Sequence, residues 1–212
     1  MNMINPKRVL ILAPHIDDGE LGCGGTIAKY AELGVEIFYA AFSDCKKSLA
    51  TGLPPDTLRK ECKNATGILG IKESNLTFFD FDVRTFPAFR QEILEEMVKL
   101  NKTIQPDLVF TPAKSDVHQD HGVVYSESLR AYKYCSLLGY ELPWNNSSFH
   151  TQCFSHLSEK NLETKMNSLQ AYTSQSHRNY FKEDFIKSLA TVRGLQINTK
   201  YAEAFEVYKL IS

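Results

Sequence analysis

One succession near the start of the chain constrains its fold more than any other. The apolar run Arg8-Val9-Leu10-Ile11-Leu12 reads as a buried strand. A polar loop with a glycine-rich turn, Ala13 to Gly25, follows it, and Thr26 to Leu33 then has a helical pattern closed by Gly34. The same alternation recurs. Strands are predicted over 35–42, 76–81 and 108–110, with helices over 56–69, 90–101 and 122–138 between and after them. The pattern then loosens into a loop at 140–148, a strand over 148–157, helices over 158–172 and 180–192, and a terminal apolar run at 204–211. Strands that alternate with helices of this length predict an α/β fold. The expected form is a Rossmann-like, doubly wound, mostly parallel sheet with flanking helices, in a single domain over 1–212.

Bulk composition narrows the function by exclusion. The 212 residues are 43% hydrophobic and 23% charged with a net charge of −1, so nothing argues for nucleic acid or an anionic membrane as partner. Five cysteines without a CxxC pair argue against a disulfide framework. Cys23 reads as a small apolar residue. No apolar run approaches the ~20 residues of a membrane span, and a cytoplasmic protein is expected. A homo-oligomer is left open.

The chemistry lies in two polar clusters, each just beyond a strand. The first is His15-Ile16-Asp17-Asp18. The second is Ser115-Asp116-Val117-His118-Gln119-Asp120-His121. In open α/β sheets ligands bind at that edge. Together the clusters offer His15, Asp18 and His121 as a three-ligand set with an open position. Two histidines and a carboxylate suit catalytic Zn2+, which lowers the pKa of its water to ~7. Asp17 is then placed to accept a proton, and His118 to stabilise an oxyanion or protonate a leaving amine. A turn-and-cap role explains either cluster alone, since Asp favours helix starts and glycine favours turns. The combination carries the metal reading.

These motifs resemble the LmbE/PIG-L superfamily of zinc-dependent N-deacetylases. The match rests on His15-Ile16-Asp17-Asp18 with Leu21-Gly22-Cys23-Gly24-Gly25, and on His118-Gln119-Asp120-His121. It extends to Arg59-Lys60-Glu61 with Ala65 and Leu69-Gly70, to Lys165 with Leu169 and Ser174-Gln175, and to Tyr201-Ala202-Glu203-Ala204-Phe205. The resemblance implies His15, Asp18 and His121 as metal ligands, Asp17 as base and His118 as electrostatic partner. Arg59, Asp44 and Asp116 complete an expected substrate-contacting set. It further implies one zinc per chain and a small-molecule N-acetyl sugar or glycoconjugate, GlcNAc-type, as substrate. The chain departs from the family motif at Ile16, where a proline is usual. It departs again at Gly19, where the usual glutamate is displaced to Glu20.

Three other functions compete with deacetylation of a sugar. Strand, glycine turn, helix and Asp44 mimic a dinucleotide fingerprint. However, Gly22-Cys23-Gly24-Gly25 is not GxGxxG, because Ile27 stands three after Gly24, and two aspartates would repel a phosphate. A different zinc-dependent amidase and a non-catalytic metal protein complete the alternatives. His150, His156 and His177 read as surface or core residues. Phe78, Phe79 and Phe81 read as core, and Trp144 as a platform for stacking a sugar.

Overall fold

The structure is a computed structural model and describes residues 5–211. Its strands are β1 (Arg8–His15), β2 (Glu36–Ser43), β3 (Leu76–Phe78), β4 (Leu108–Pro112), β5 (Ser136–Tyr140), β6 (Cys153–Leu157) and β7 (Tyr201–Lys209). They form one sheet in the order β3-β2-β1-β4-β5-β7-β6. The first five run parallel to their neighbours, and β7 runs antiparallel between β5 and β6. The helices are α1 (Asp18–Glu32), α2 (Thr57–Ile68), α3 (Arg90–Ile104), α4 (Gln119–Ala131), α5 (Glu159–Gln170) and α6 (Glu183–Leu195). The α/β, mostly parallel sheet expected from the alternation is the one observed.

Strand periodicity divides the core. Val9, Ile11 and Ala13 of β1 face a cluster with Ile27 of α1, Cys62 of α2, Leu162 of α5 and Ile186 of α6. Leu10 and Leu12 face the other way, onto Ile93 and Met97 of α3 and Val124 of α4. A strand covered on both faces has no polar side, which is why β1 reads as a continuous apolar run. The chain passes from β1 to β2 on one side and later returns to β4 on the other. The order therefore reverses between β1 and β4, and the crevice at their C-terminal ends is the topological switch point.

Elsewhere bounds shift by a few residues, most at the strand expected over 148–157, which begins at Cys153, but three differences change an element's form. The helix expected from Thr26 begins at Asp18 and is broken at Cys23, whose φ of −144° is non-helical. Side chains fill the break. Lys165 Nζ donates to the Leu21 carbonyl at 2.7 Å. Glu203 accepts from the Gly25 and Thr26 backbone N–H groups at 2.9 and 2.7 Å, and Lys165 and Glu203 pair at 2.7 Å. Gly22 allows the close approach beneath, since a Cβ there would lie 2.3 Å from the Tyr140 ring. The helix expected over 122–138 ends at Ala131, and Ser136–Tyr140 is a strand instead of helix and loop. No glycine or proline separates Gly122 from Gly139 to announce that change; pairing with β4 on one side and β7 on the other dictates it. The third difference is β3, which stops at Phe78. Phe79 and Phe81 leave the sheet but still pack against the core.

Candidate metal centre and pocket

Both polar clusters converge on the switch point. His15 is the last residue of β1, Asp17 caps α1 and Asp18 is its first residue. Beyond β4, His118 caps α4 and its Nδ1 accepts from the Asp120 backbone N–H at 3.2 Å, which leaves His121 in the first turn. His15, His118 and His121 each present a ring nitrogen, and those atoms lie within 4.8 Å of one another.

Within this cluster one triangle is tighter. His15 Nδ1 lies 3.0 Å from His121 Nε2, and Asp18 Oδ2 lies 3.2 Å from each. Outward-facing carboxylates fix both ring tautomers. His15 Nε2 meets Asp120 Oδ2 at 3.0 Å, and His121 Nδ1 meets Asp116 Oδ2 at 2.7 Å. In their neutral forms, with each ring proton turned to its carboxylate, both rings aim a lone pair inward. Two lone pairs and a carboxylate oxygen would then face one another, an arrangement that calls for a positive charge among them, supplied by a proton on His121 in the metal-free protein or by a bound cation. Nitrogen and oxygen ligands at about 2.0–2.1 Å around a tetrahedral zinc stand roughly 3.3 Å apart, so these side chains fit the ion.

The electrostatics match the geometry. Burial alone would lower the His121 pKa, but Asp18 and Asp116 outweigh it and raise it to about 10. His15 is also raised against its burial, by Asp120 and Asp18. Burial would raise Asp18, yet His121 and His15 hold it well below the usual carboxylate range. Its neighbour goes the other way: burial and the adjacent Asp18 charge push Asp17 up to about 6. Burial and the two neighbouring imidazoles lower His118.

These groups open onto a pocket of about 230 Å³, whose wall includes Asp17, His118, Trp144, Gln175, Arg178 and Tyr180. Three residues expected to contact substrate stand elsewhere. Asp116 is only 7% exposed and both its oxygens are engaged, one by His121 and the other by the His118 backbone N–H at 2.8 Å, so it holds the His121 ring from outside the pocket lining. Asp44 and Arg59 pair with each other at 3.5 Å, Arg59 lies 5.2 Å over the Phe78 ring, and neither lines the pocket. Trp144 does line it, but one ring face is stacked on Tyr180 at 4.2 Å. His150, His156 and His177 are exposed, as expected.

Several residues of the site escaped sequence reasoning. Asp120 accepts from His15 and from the backbone N–H groups of Arg84 and Phe86, at 2.6 and 3.3 Å for the latter two. Its signal was its place between the histidines of the second motif. Arg178 and Tyr180 follow the Ser174-Gln175 pair of the family match, in the segment between α5 and α6 that Glu61 holds. The departure at Gly19 is structural. A Cβ there would lie 2.5 Å from the Tyr39 ring, and the Tyr39 and Tyr172 hydroxyls instead bond Glu20, which is fully buried. The same two hydroxyls bond the Ile16 carbonyl and fasten the loop from below.

The fold and site thus define an α/β protein with an imidazole–carboxylate centre at its switch point. Residues 10–132 match the GlcNAc-PI de-N-acetylase family, PIG-L, and the chain belongs to it. The "Uncharacterized deacetylase YaiS" of Escherichia coli (strain K12) is 31% identical over 172 residues, covering 79% of this chain and 91% of that protein. The diacetylchitobiose deacetylase of Thermococcus kodakarensis is 24% identical over 221 residues, covering 93% and 81%. Among solved structures, the N,N'-diacetylchitobiose deacetylase from Pyrococcus horikoshii superposes with a TM-score of 0.81 at 22% identity, covering 96% of this chain and 84% of that one.

Because Asp116 holds the His121 ring, Asp116→Asn is expected to weaken the binding of a divalent metal by this cluster roughly 10- to 100-fold without unfolding the protein. Competition with a chromogenic chelator, read beside the thermal midpoint, checks this.

Proposed function

We propose that the chain is a zinc-dependent N-deacetylase that hydrolyses the acetamide of a GlcNAc-type sugar. In this reading His15, Asp18 and His121 hold the metal, Asp17 is the general base and His118 the oxyanion donor. The observation that carries it is the triangle of two imidazole nitrogens and one carboxylate oxygen, 3.0–3.2 Å on each edge. A bound divalent metal supplies a Lewis acid that lowers the pKa of a coordinated water to ~7.

The chain's own groups supply the rest. Asp17, at about 6, is ionised at neutral pH and still basic enough to take the proton that water loses on adding to the amide carbon. His118 uses Nδ1 to accept from Asp120 N–H, so in its neutral form the ring proton sits on Nε2. Its lowered pKa keeps that form at neutral pH, where Nε2–H can donate to the developing oxyanion. The C–N bond then breaks, the sugar nitrogen takes a proton held by Asp17, and acetate and free amine are the products.

Acetate release from methyl N-acetylglucosaminide and diacetylchitobiose, alongside elemental analysis of wild type and His121→Ala, tests the proposal. About one zinc in wild type, none in His121→Ala and acetate only from the former are expected. Acetate from no N-acetyl sugar, with cleavage of another amide, would shift the reading to a general amidase. Zinc binding should also expel protons. His121 is raised to about 10 and is charged at pH 8 in the metal-free protein, whereas as a ligand it is neutral. Calorimetry in buffers of different ionisation enthalpy should therefore register about two protons released per zinc at pH 8, one from His121 and one from the coordinated water. With an unperturbed histidine only the water's proton would be released.

A further inference from the structure

The metal centre explains the floor of the pocket but not two cations on its wall. Arg59, Arg90, Arg130 and Arg193 each pair with a carboxylate. Arg84 and Arg178 both line the pocket, and among the described residues neither is ion-paired. Asp17 is within Coulombic reach of Arg178 but is not its salt-bridge partner.

Both arginines are held by built scaffolding. Arg84 has a left-handed backbone, φ 67°, which residues with side chains adopt rarely and which clusters at functional sites. Its N–H donates to Asp120 Oδ2 at 2.6 Å and its carbonyl accepts from Gln119 Nε2 at 2.5 Å, so the second motif itself enforces that conformation. Arg178 follows a turn that Glu61 clamps with three hydrogen bonds, from Thr173 Oγ1 at 2.8 Å, Ser174 N–H at 2.9 Å and Ser174 Oγ at 2.6 Å. Its guanidinium bonds the Tyr180 hydroxyl, and its Nε is buried without an acceptor. A neutral sugar offers hydroxyls, for which the Trp144–Tyr180 wall and polar neighbours suffice. Two planar guanidinium forks without a protein carboxylate match an oxyanion.

We infer that the substrate is an anionic conjugate of the amino sugar, with a carboxylate or phosphate on its non-acetyl portion held by Arg178 and Arg84. This rests on the deacetylase reading above. It adds that the group carried by the sugar, and not the acetamide alone, selects the substrate.

The test compares three probes: methyl N-acetylglucosaminide, N-acetylglucosamine 1-phosphate and the malate glycoside of N-acetylglucosamine. At least one anionic probe is expected to exceed the neutral one roughly 10- to 100-fold in kcat/KM, with the phosphate and malate arms separating phosphoryl from carboxylate recognition. The anionic-to-neutral ratio should fall about tenfold in Arg178→Gln and in Arg84→Gln, and part of it should survive in Arg178→Lys, which keeps charge without the fork. Equal rates on all three probes, or a preference unchanged in both glutamine variants, would overturn the inference while leaving the deacetylase reading intact. Acetate from none of the probes would instead remove the deacetylase reading. Calorimetric binding of glucosamine 1-phosphate and the malate glycoside of glucosamine, each against methyl glucosaminide, then decides the anion site on its own. A preference for either anion that Arg178→Gln abolishes supports it, and equal affinities for all three sink it.

Discussion

Under the mechanism proposed above, Asp17→Asn is expected to keep the bound metal and lose roughly 10²–10⁴-fold in turnover, the usual contribution of a general base. The two adjacent aspartates have opposite surroundings. Asp18 Oδ2 points between two imidazoles and is held ionised, while Asp17 lines the pocket with its pKa raised to about 6 by burial and by Asp18. A group in the first environment binds a cation; one in the second exchanges a proton. Asp18→Asn should therefore lose metal and activity together. The pH profile separates the roles further. A base must be unprotonated, so wild-type rate falls as pH drops through the Asp17 pKa, and that acidic limb should vanish in Asp17→Asn. Metal content and pH–rate profiles on both variants are the measurement. Zinc lost from Asp17→Asn but retained by Asp18→Asn would reverse the assignment.

The second large effect is on stability and lies away from the pocket. Lys165→Met should destabilise the protein by about 3–5 kcal/mol, because it leaves the Glu203 carboxylate buried without its cation. Both side chains are almost fully enclosed, and the pair stands inside the break of α1. For a chain of this length that corresponds to a fall in Tm of roughly 6–20 °C. The double variant Lys165→Met/Glu203→Gln removes the stranded charge and keeps one of the two acceptor oxygens that Gly25 and Thr26 use. It should recover part of the loss. Scanning calorimetry of the three proteins decides it, and a single variant as stable as wild type would show that the pair is not what closes the break.

What could be read in the sequence is what local order records. β1 reads as a strand because it is buried on both faces, and the two histidine clusters stand out because each is contiguous. Their meeting follows from the switch point, a consequence of strand alternation. The end of α4 was not legible, since Tyr132 to Cys135 suit a helix as well as a turn and β5 exists because β4 and β7 pair with it. The insertion of β7 between β5 and β6 is likewise a long-range event. Asp116 and Asp120 look alike as acids near histidines; only distance shows that one orients His121 and the other His15 while anchoring Arg84. Ser174-Gln175 marks the segment that leads to Arg178, but the position of Arg178 on the pocket wall depends on Glu61 across the fold.

The break in α1 also bears on how the molecule opens. In an unbroken helix Gly25 N–H would bond the Leu21 carbonyl; here Glu203 takes the amide and Lys165 the carbonyl. The helix is therefore two cooperative pieces, and helical fraying propagates only along continuous i→i−4 bonds. Fraying of the outer piece, which ends beside the exposed Leu33, should halt at Cys23 and leave Asp18 undisturbed. In native-state hydrogen exchange, amides from Ala28 to Glu32 should open at lower free energy than those of Leu21 and Gly22. The piece that carries Asp18 would then exchange only with the sheet beneath it.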